Sequence, residues 1–233
     1  MCDGDIDRFD WRDYQGNNLM TPVKNVGNCG STYAFAVTSV IESKLNIQEY
    51  LAGRSLPDIH LSEQELMCAS FNNGCGGGSP SGSLGYVKDF GIVENECLPY
   101  NPSDNLVCTF CDPNTVRYTI SDFTRLDNPT DDQIYAALRT NGPIIVYFQT
   151  YSDLYSYQDG IYTTNGQNYA GAKSMILVGY DLTGEEPYWI LQNDWDTNWG
   201  EQGFLKIAPN DISINRAYFY FIGNVALFEA TPQ

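Results

Sequence analysis

Pro22-Val23-Lys24-Asn25-Val26-Gly27-Asn28-Cys29-Gly30-Ser31-Thr32-Tyr33-Ala34-Phe35-Ala36 is the stretch on which the fold reading turns. From Ser31 to Tyr50 the apolar residues Ala34, Phe35, Val37, Val40, Ile41, Leu45 and Ile47 recur at mixed helical spacings. That period belongs to a helix buried over most of one side, and Gly53 supplies its stop. The segment predicts a central helix with the Ser31 and Thr32 hydroxyls in its opening turn.

Working outward, Ser62-Glu63-Gln64-Glu65 reads as a capping box, with Ser62 capping free amides and Glu65 reaching back. Gly74-Cys75-Gly76-Gly77-Gly78 is a backbone-rich loop that lets another chain approach closely. A third helix is expected over Ser81 to Phe90, stopped at Gly91. A fourth opens at Thr130-Asp131-Asp132-Gln133 and ends at Asn141-Gly142. Beyond it the style changes. Ile144 to Gln149, Ser174 to Tyr180, Tyr188 to Gln192 and Phe204 to Ala208 are short β-branched or aromatic runs between turn residues, and read as strands. Helices first and sheet second make an α+β pattern of two lobes.

Composition narrows the function classes. The 233 residues, 42% apolar and 14% aromatic, can build a core and lie far from the signature of disorder. Twelve basic against 29 acidic residues leave a net charge of −17, which repels nucleic-acid backbones and anionic membranes and favours basic or cationic partners. The longest apolar runs, such as Ile144 to Phe148 and Met175 to Val178, fall far short of the roughly 20 residues that span a bilayer, so no membrane insertion is expected. Met1-Cys2-Asp3-Gly4-Asp5 lacks the basic and apolar regions of a signal peptide, so none is read in this stretch.

Seven cysteines allow three bridges and one leftover thiol, which implies an oxidising compartment. Cys108-x-x-Cys111 could open a zinc site, but no second pair has that spacing and the single histidine, His60, is distant. Asp3-x-Asp5-x-Asp7 starts like a calcium loop, yet Arg8 stands where the turn glycine belongs and Tyr14 where the bidentate glutamate belongs. No metal or cofactor is expected. Asn101-Pro102-Ser103 and Asn128-Pro129-Thr130 are blocked as glycosylation sites by proline, leaving the surface open to protein contacts.

Pro22 to Ala36 resembles the active-site segment of the papain/cathepsin-like cysteine peptidases (C1 type), where the helix opens with C-G-S-C-W. Asp10-Trp11-Arg12 with Thr21 to Asn25 resembles the family's mature amino terminus, Leu61 to Leu66 its L-S-E-Q-E-L helix and Gly74 to Gly78 its glycine loop. Val178-Gly179-Tyr180, Asn193-Asp194-Trp195 and Trp199-Gly200-Glu201-Gln202-Gly203-Phe204 follow in family order. The resemblance covers nearly the whole chain. It implies a single papain-like domain over residues 1–233: a helical lobe over about 14–118, a β-barrel-like lobe over about 119–208, a cleft between them, and terminal segments that cross between lobes. It also implies the pairings Cys29 with Cys75, Cys68 with Cys108 and Cys97 with Cys111, leaving Cys2 free.

The family needs a thiolate at a helix amino terminus, a histidine base, an asparagine that orients the histidine, and an oxyanion donor. Alignment puts Thr32 at the nucleophile position, Lys173 at the base position and Val26 at the oxyanion position; only Asn193 is retained. Ser31, one residue away, would point about 100° from Thr32 on a helix, and His60 precedes the Ser62 helix, away from the cleft. A Thr32–Lys173 hydrolase is the alternative. It requires the lysine to lose about 3 pKa units, without a donor worth roughly 2.7 to 4 kcal/mol. The expectation is therefore an inactive member, a pseudo-protease acting as a structural or protein-binding component, possibly within a larger assembly, in a secreted, vesicular or lysosome-like lumen. A peptide-binding cleft, with Gly77 and Gly78 as wall and Trp195 and Trp199 as floor, is the other alternative; the same four residues would equally serve packing.

Overall fold

The computed structural model describes residues 7–69, 71–103, 108–109, 111–112 and 114–228. Cys2 and the Asp3-x-Asp5 pattern lie outside the described residues. The expected central helix, α1, spans Thr32–Leu51 and packs against helices on one side and the sheet on the other. This double cover explains why every residue from Tyr33 to Thr38 is buried, while Thr32 at the helix start is only partly covered. Polar groups along it are matched by a buried cluster. Lys24 Nζ donates to Glu42 Oε1 at 2.7 Å and to Glu63 Oε1 at 2.6 Å, and Thr38 Oγ1 donates to Glu63 Oε1 at 2.7 Å. Burial alone would lower the Lys24 pKa, but the two carboxylates outweigh it and hold the value above the ordinary lysine range.

The other helices are α2 (Glu63–Cys68), α3 (Pro80–Phe90) and α4 (Asp131–Asn141). Thr130 and Gln133 form the full reciprocal box at α4: the Gln133 amide donates to Thr130 Oγ1 at 3.3 Å and the Thr130 amide to Gln133 Oε1 at 2.9 Å. At α2 only half of the expected box forms. Ser62 Oγ accepts from the Glu65 amide at 3.1 Å, but the Glu65 carboxylate turns to the Val93 amide, Tyr86 and Arg117. Nothing is left for it to cap, because the Ser62 amide already donates to the Val93 carbonyl at 2.9 Å.

The strands are β1 (Arg8–Asp10), β2 (Tyr118–Ile120), β3 (Phe123–Asp127), β4 (Ile144–Tyr151), β5 (Ile161–Tyr162), β6 (Tyr169–Asp181), β7 (Tyr188–Gln192), β8 (Phe204–Ile207), β9 (Ile214–Ile222) and β10 (Val225–Leu227). The main sheet runs β3-β9-β4-β6-β7-β8-β5, with β1 on β6, and β10 pairs with β2 in a separate ribbon. The chain thus has the expected α+β, papain-like arrangement of helical and sheet-rich parts. The sheet is open, however, and not closed into a barrel: β3 and β5 stand at opposite edges. It also extends past Ala208, since β9 pairs with both β3 and β4.

β1 approaches β6 so closely that a Cβ on Gly179 would lie 2.7 Å from the Phe9 carbonyl oxygen. Only glycine fits there. The three disulfides implied by the resemblance are formed, Cys29–Cys75, Cys68–Cys108 and Cys97–Cys111, with Cα separations of 4.6, 5.7 and 5.9 Å.

Candidate functional site

The start of α1 meets β6, and the two elements bring Thr32, Lys173 and Asn193 into one region. Thr32 is the first residue of α1, and its Oγ1 accepts the Ser174 amide of β6 at 3.1 Å. Ser31 is fully buried and shares a hydrogen bond of 2.8 Å with the Tyr100 hydroxyl. Lys173 lies on β6 opposite Phe148 of β4 and is 6% exposed. Its ammonium donates to Asn193 Oδ1 and Asp194 Oδ1, just beyond the end of β7, and sits 4.1 Å from the centre of the Trp195 ring. Burial pushes the Lys173 pKa below the ordinary lysine value, and the Asp194 carboxylate opposes that shift.

Val26 is buried and offers the site only its backbone. Its amide donates to the Asp194 carbonyl at 2.9 Å and its carbonyl accepts from the Tyr100 hydroxyl at 2.7 Å. Trp195 is sandwiched: Tyr155 stacks on it at 5.2 Å and Trp199 meets it edge-on at 5.3 Å. Trp199 is itself buried, with its indole nitrogen donating to the Leu154 carbonyl at 3.1 Å.

Gly77 adopts φ +104°, where glycine is favoured, with open space where a side chain would stand. Gly78 differs: a Cβ there would run into Asn72 Oδ1 and come within 2.6 Å of Tyr33 Cζ. Next to it lies a cavity of about 160 Å³, bounded by Gly78, Pro80, Ile145, Ser174, Tyr218 and Tyr220 among others. Through Ser174 this cavity adjoins Thr32.

His60 lies elsewhere, on the loop before α2, half-exposed and 3.3 Å from Asp58. Sequence reasoning assigned no role to Asp194, Ser174, Tyr155 or Tyr218. The available signal was the acidic residue directly after Asn193, across from a lysine that stands where a neutral ring was expected. A buried cation demands a partner, and Asp194 was the near candidate. Among the described residues no group of His, Cys, Asp and Glu is arranged to hold a metal ion.

Comparison with known proteins agrees with this architecture. The family described as "Papain family cysteine protease" matches residues 6–222. A viral cathepsin of Cydia pomonella granulosis virus is 36% identical over 201 residues, covering 85% of this chain and 56% of the relative. Digestive cysteine proteinase 1 of Homarus americanus is 35% identical over 205 residues, covering 85% and 61%. The chain therefore spans a little over half the length of these relatives. Among solved structures, the digestive procathepsin L2 proteinase of Tenebrio molitor larval midgut superposes with a TM-score of 0.80 at 31% identity, over 93% of this chain and 68% of that one. ProCathepsin B S9 from Trypanosoma congolense gives 0.79 at 25% identity, over 94% and 77%. On the matched family, the α1–β6 junction and the open sheet beside it, the chain belongs to the papain family of cysteine proteases.

Proposed function

We propose that this chain is a non-catalytic member of its family, acting as a structural or protein-binding component in an oxidising lumen. The observation that carries the reading is the engagement of Lys173. A general base must lie within hydrogen-bond reach of its nucleophile, whereas this amine is engaged by Asn193, Asp194 and the Trp195 face and the Thr32 hydroxyl is engaged by the Ser174 amide. Thr32 Oγ1 accepts a backbone amide, and Val26 presents no side-chain donor to a developing oxyanion. At the nucleophile and oxyanion positions, the Thr32 hydroxyl and the Val26 amide here bond to Ser174 and the Asp194 carbonyl of the sheet-rich part. Three disulfides favour a secreted or lysosome-like compartment, and the net charge of −17 favours a basic partner.

The purified protein is expected to leave peptide substrates intact and to escape labelling by thiolate-directed epoxides. Turnover that disappears in Thr32→Ala would overturn the proposal and establish the Thr32–Lys173 hydrolase. The cavity beside Ser174 favours a second reading, a peptide-binding cleft. In that case calorimetry would detect a peptide ligand, and Tyr218→Ala would weaken it. Gly78→Trp is unsuited to the test, because the Gly78 position has no room for any side chain.

A further inference from the structure

The polar cluster where β6 meets the end of β7 holds an amine, a carboxamide and a carboxylate together. Lys173, Asn193 and Asp194 are each at least nine-tenths buried. Lys173 Nζ donates to Asn193 Oδ1, one bond from the carboxamide carbon, and Asp194 Oδ1 accepts from the same nitrogen. Asn193 Nδ2 is buried with no hydrogen-bond partner among the described residues, so no protein group holds the nitrogen that would leave. A cavity of about 10 Å³, bounded by Asn193, Asp194, Gln192 and Ser174 among others, adjoins it. That is room for about one water-sized molecule, and ammonia is such a molecule. The Trp195 face covers the amine, and burial disfavours its ammonium form.

We propose that Lys173 and Asn193 become joined by an intramolecular isopeptide bond, formed without a co-reactant and with Asp194 as proton carrier. Asp194 takes one proton from the Lys173 ammonium. The freed lone pair of Nζ adds to Cγ of Asn193, forming the new C–N bond. The bond from Cγ to Nδ2 then breaks. The departing NH₂ group takes the second Nζ proton and leaves as ammonia, which receives the proton held by Asp194, so that ammonium departs and the carboxylate is restored. Nothing is oxidised or reduced. The bond ties β6 to the segment after β7 across 20 residues of chain, and it goes beyond the absence of turnover because its test reads mass and not activity.

The test is the intact mass of the purified chain, reduced and denatured after folding, followed by proteolysis. The expected mass is lower than the sequence mass, corrected for its cysteines, by one ammonia, with a branched peptide joining the segments that contain Lys173 and Asn193. Lys173→Met and Asn193→Ala should restore the full mass. Asp194→Asn, checked for folding by its near-ultraviolet dichroism, should also keep the full mass, since the proton carrier is gone. A folded wild-type chain that retains the full mass overturns the proposal; Asn193 is then an intact amide. So does ammonia loss without a branched peptide, which marks a cyclised asparagine. A branched peptide lighter by one water overturns it too, by placing the bond at Asp194.

Discussion

Lys24 lies between Glu42 and Glu63 in the interior, and each of its ion pairs has the other carboxylate as neighbour. Removing the cation leaves two buried like charges, so Lys24→Met is expected to cost about 3–5 kcal/mol at neutral pH. The penalty should shrink as pH falls, because the stranded carboxylates can then be neutralised by protons; the Glu42 pKa is already raised, by burial first. Urea unfolding of variant and parent at neutral and acidic pH measures both effects. Some of this residue-scale chemistry was legible and some was not. Cys29 and its flanking run identified the α1 junction, because short-range motifs fix it. The Glu65 capping role failed because the Val93 carbonyl, 31 residues from Ser62 in sequence, already takes the Ser62 amide. Asp194 went unassigned for the same reason: its partner Lys173 is a neighbour only after β6 and β7 have paired.

Elements separate along the same line. The four helices could be read from periodicity and caps, which are local. Thr130→Ala removes the Oγ1 acceptor of the α4 box and is expected to cost about 1 kcal/mol, seen as a lowered urea midpoint with unchanged slope. β3, β9 and the short strands β1, β2, β5 and β10 escaped notice. A strand of two or three residues carries no measurable period, and β9 alternates burial only loosely because it bulges where it crosses from one part of β4 to another. Closure of the sheet is likewise a property of distant pairings, which is why an open sheet replaced the expected barrel-like lobe. β1 gives an element-scale test. Gly179→Ala puts a methyl group against the Phe9 carbonyl, so hydrogen exchange should report lost protection of the β1 amides while α1 stays protected.

At the scale of the whole molecule, tyrosines set the alkaline limit of stability. Burial is the main cause that raises Tyr33, Tyr86 and Tyr157 to about 12. These side chains come from α1, from α3 and from the segment before β5, so helical and sheet-rich parts are affected together. In the unfolded chain a tyrosine titrates near pH 10. Each group therefore binds its proton more tightly when folded, and its contribution to stability is complete below about pH 10 and lost as pH rises from 10 toward 12. Lys24 acts in the same direction, since its raised pKa makes its ion pairs favourable up to strongly alkaline pH and lost above it. The expected outcome is that near pH 7 to 9 these groups leave stability unchanged. Above pH 10 it should fall progressively, with the last part of the tyrosinate absorbance, that of the buried side chains, rising together with unfolding. If the absorbance of all 17 tyrosines instead develops in full near pH 10, in a chain still folded by dichroism, the buried hydroxyls are reached by water and the tyrosine contribution to folding is absent.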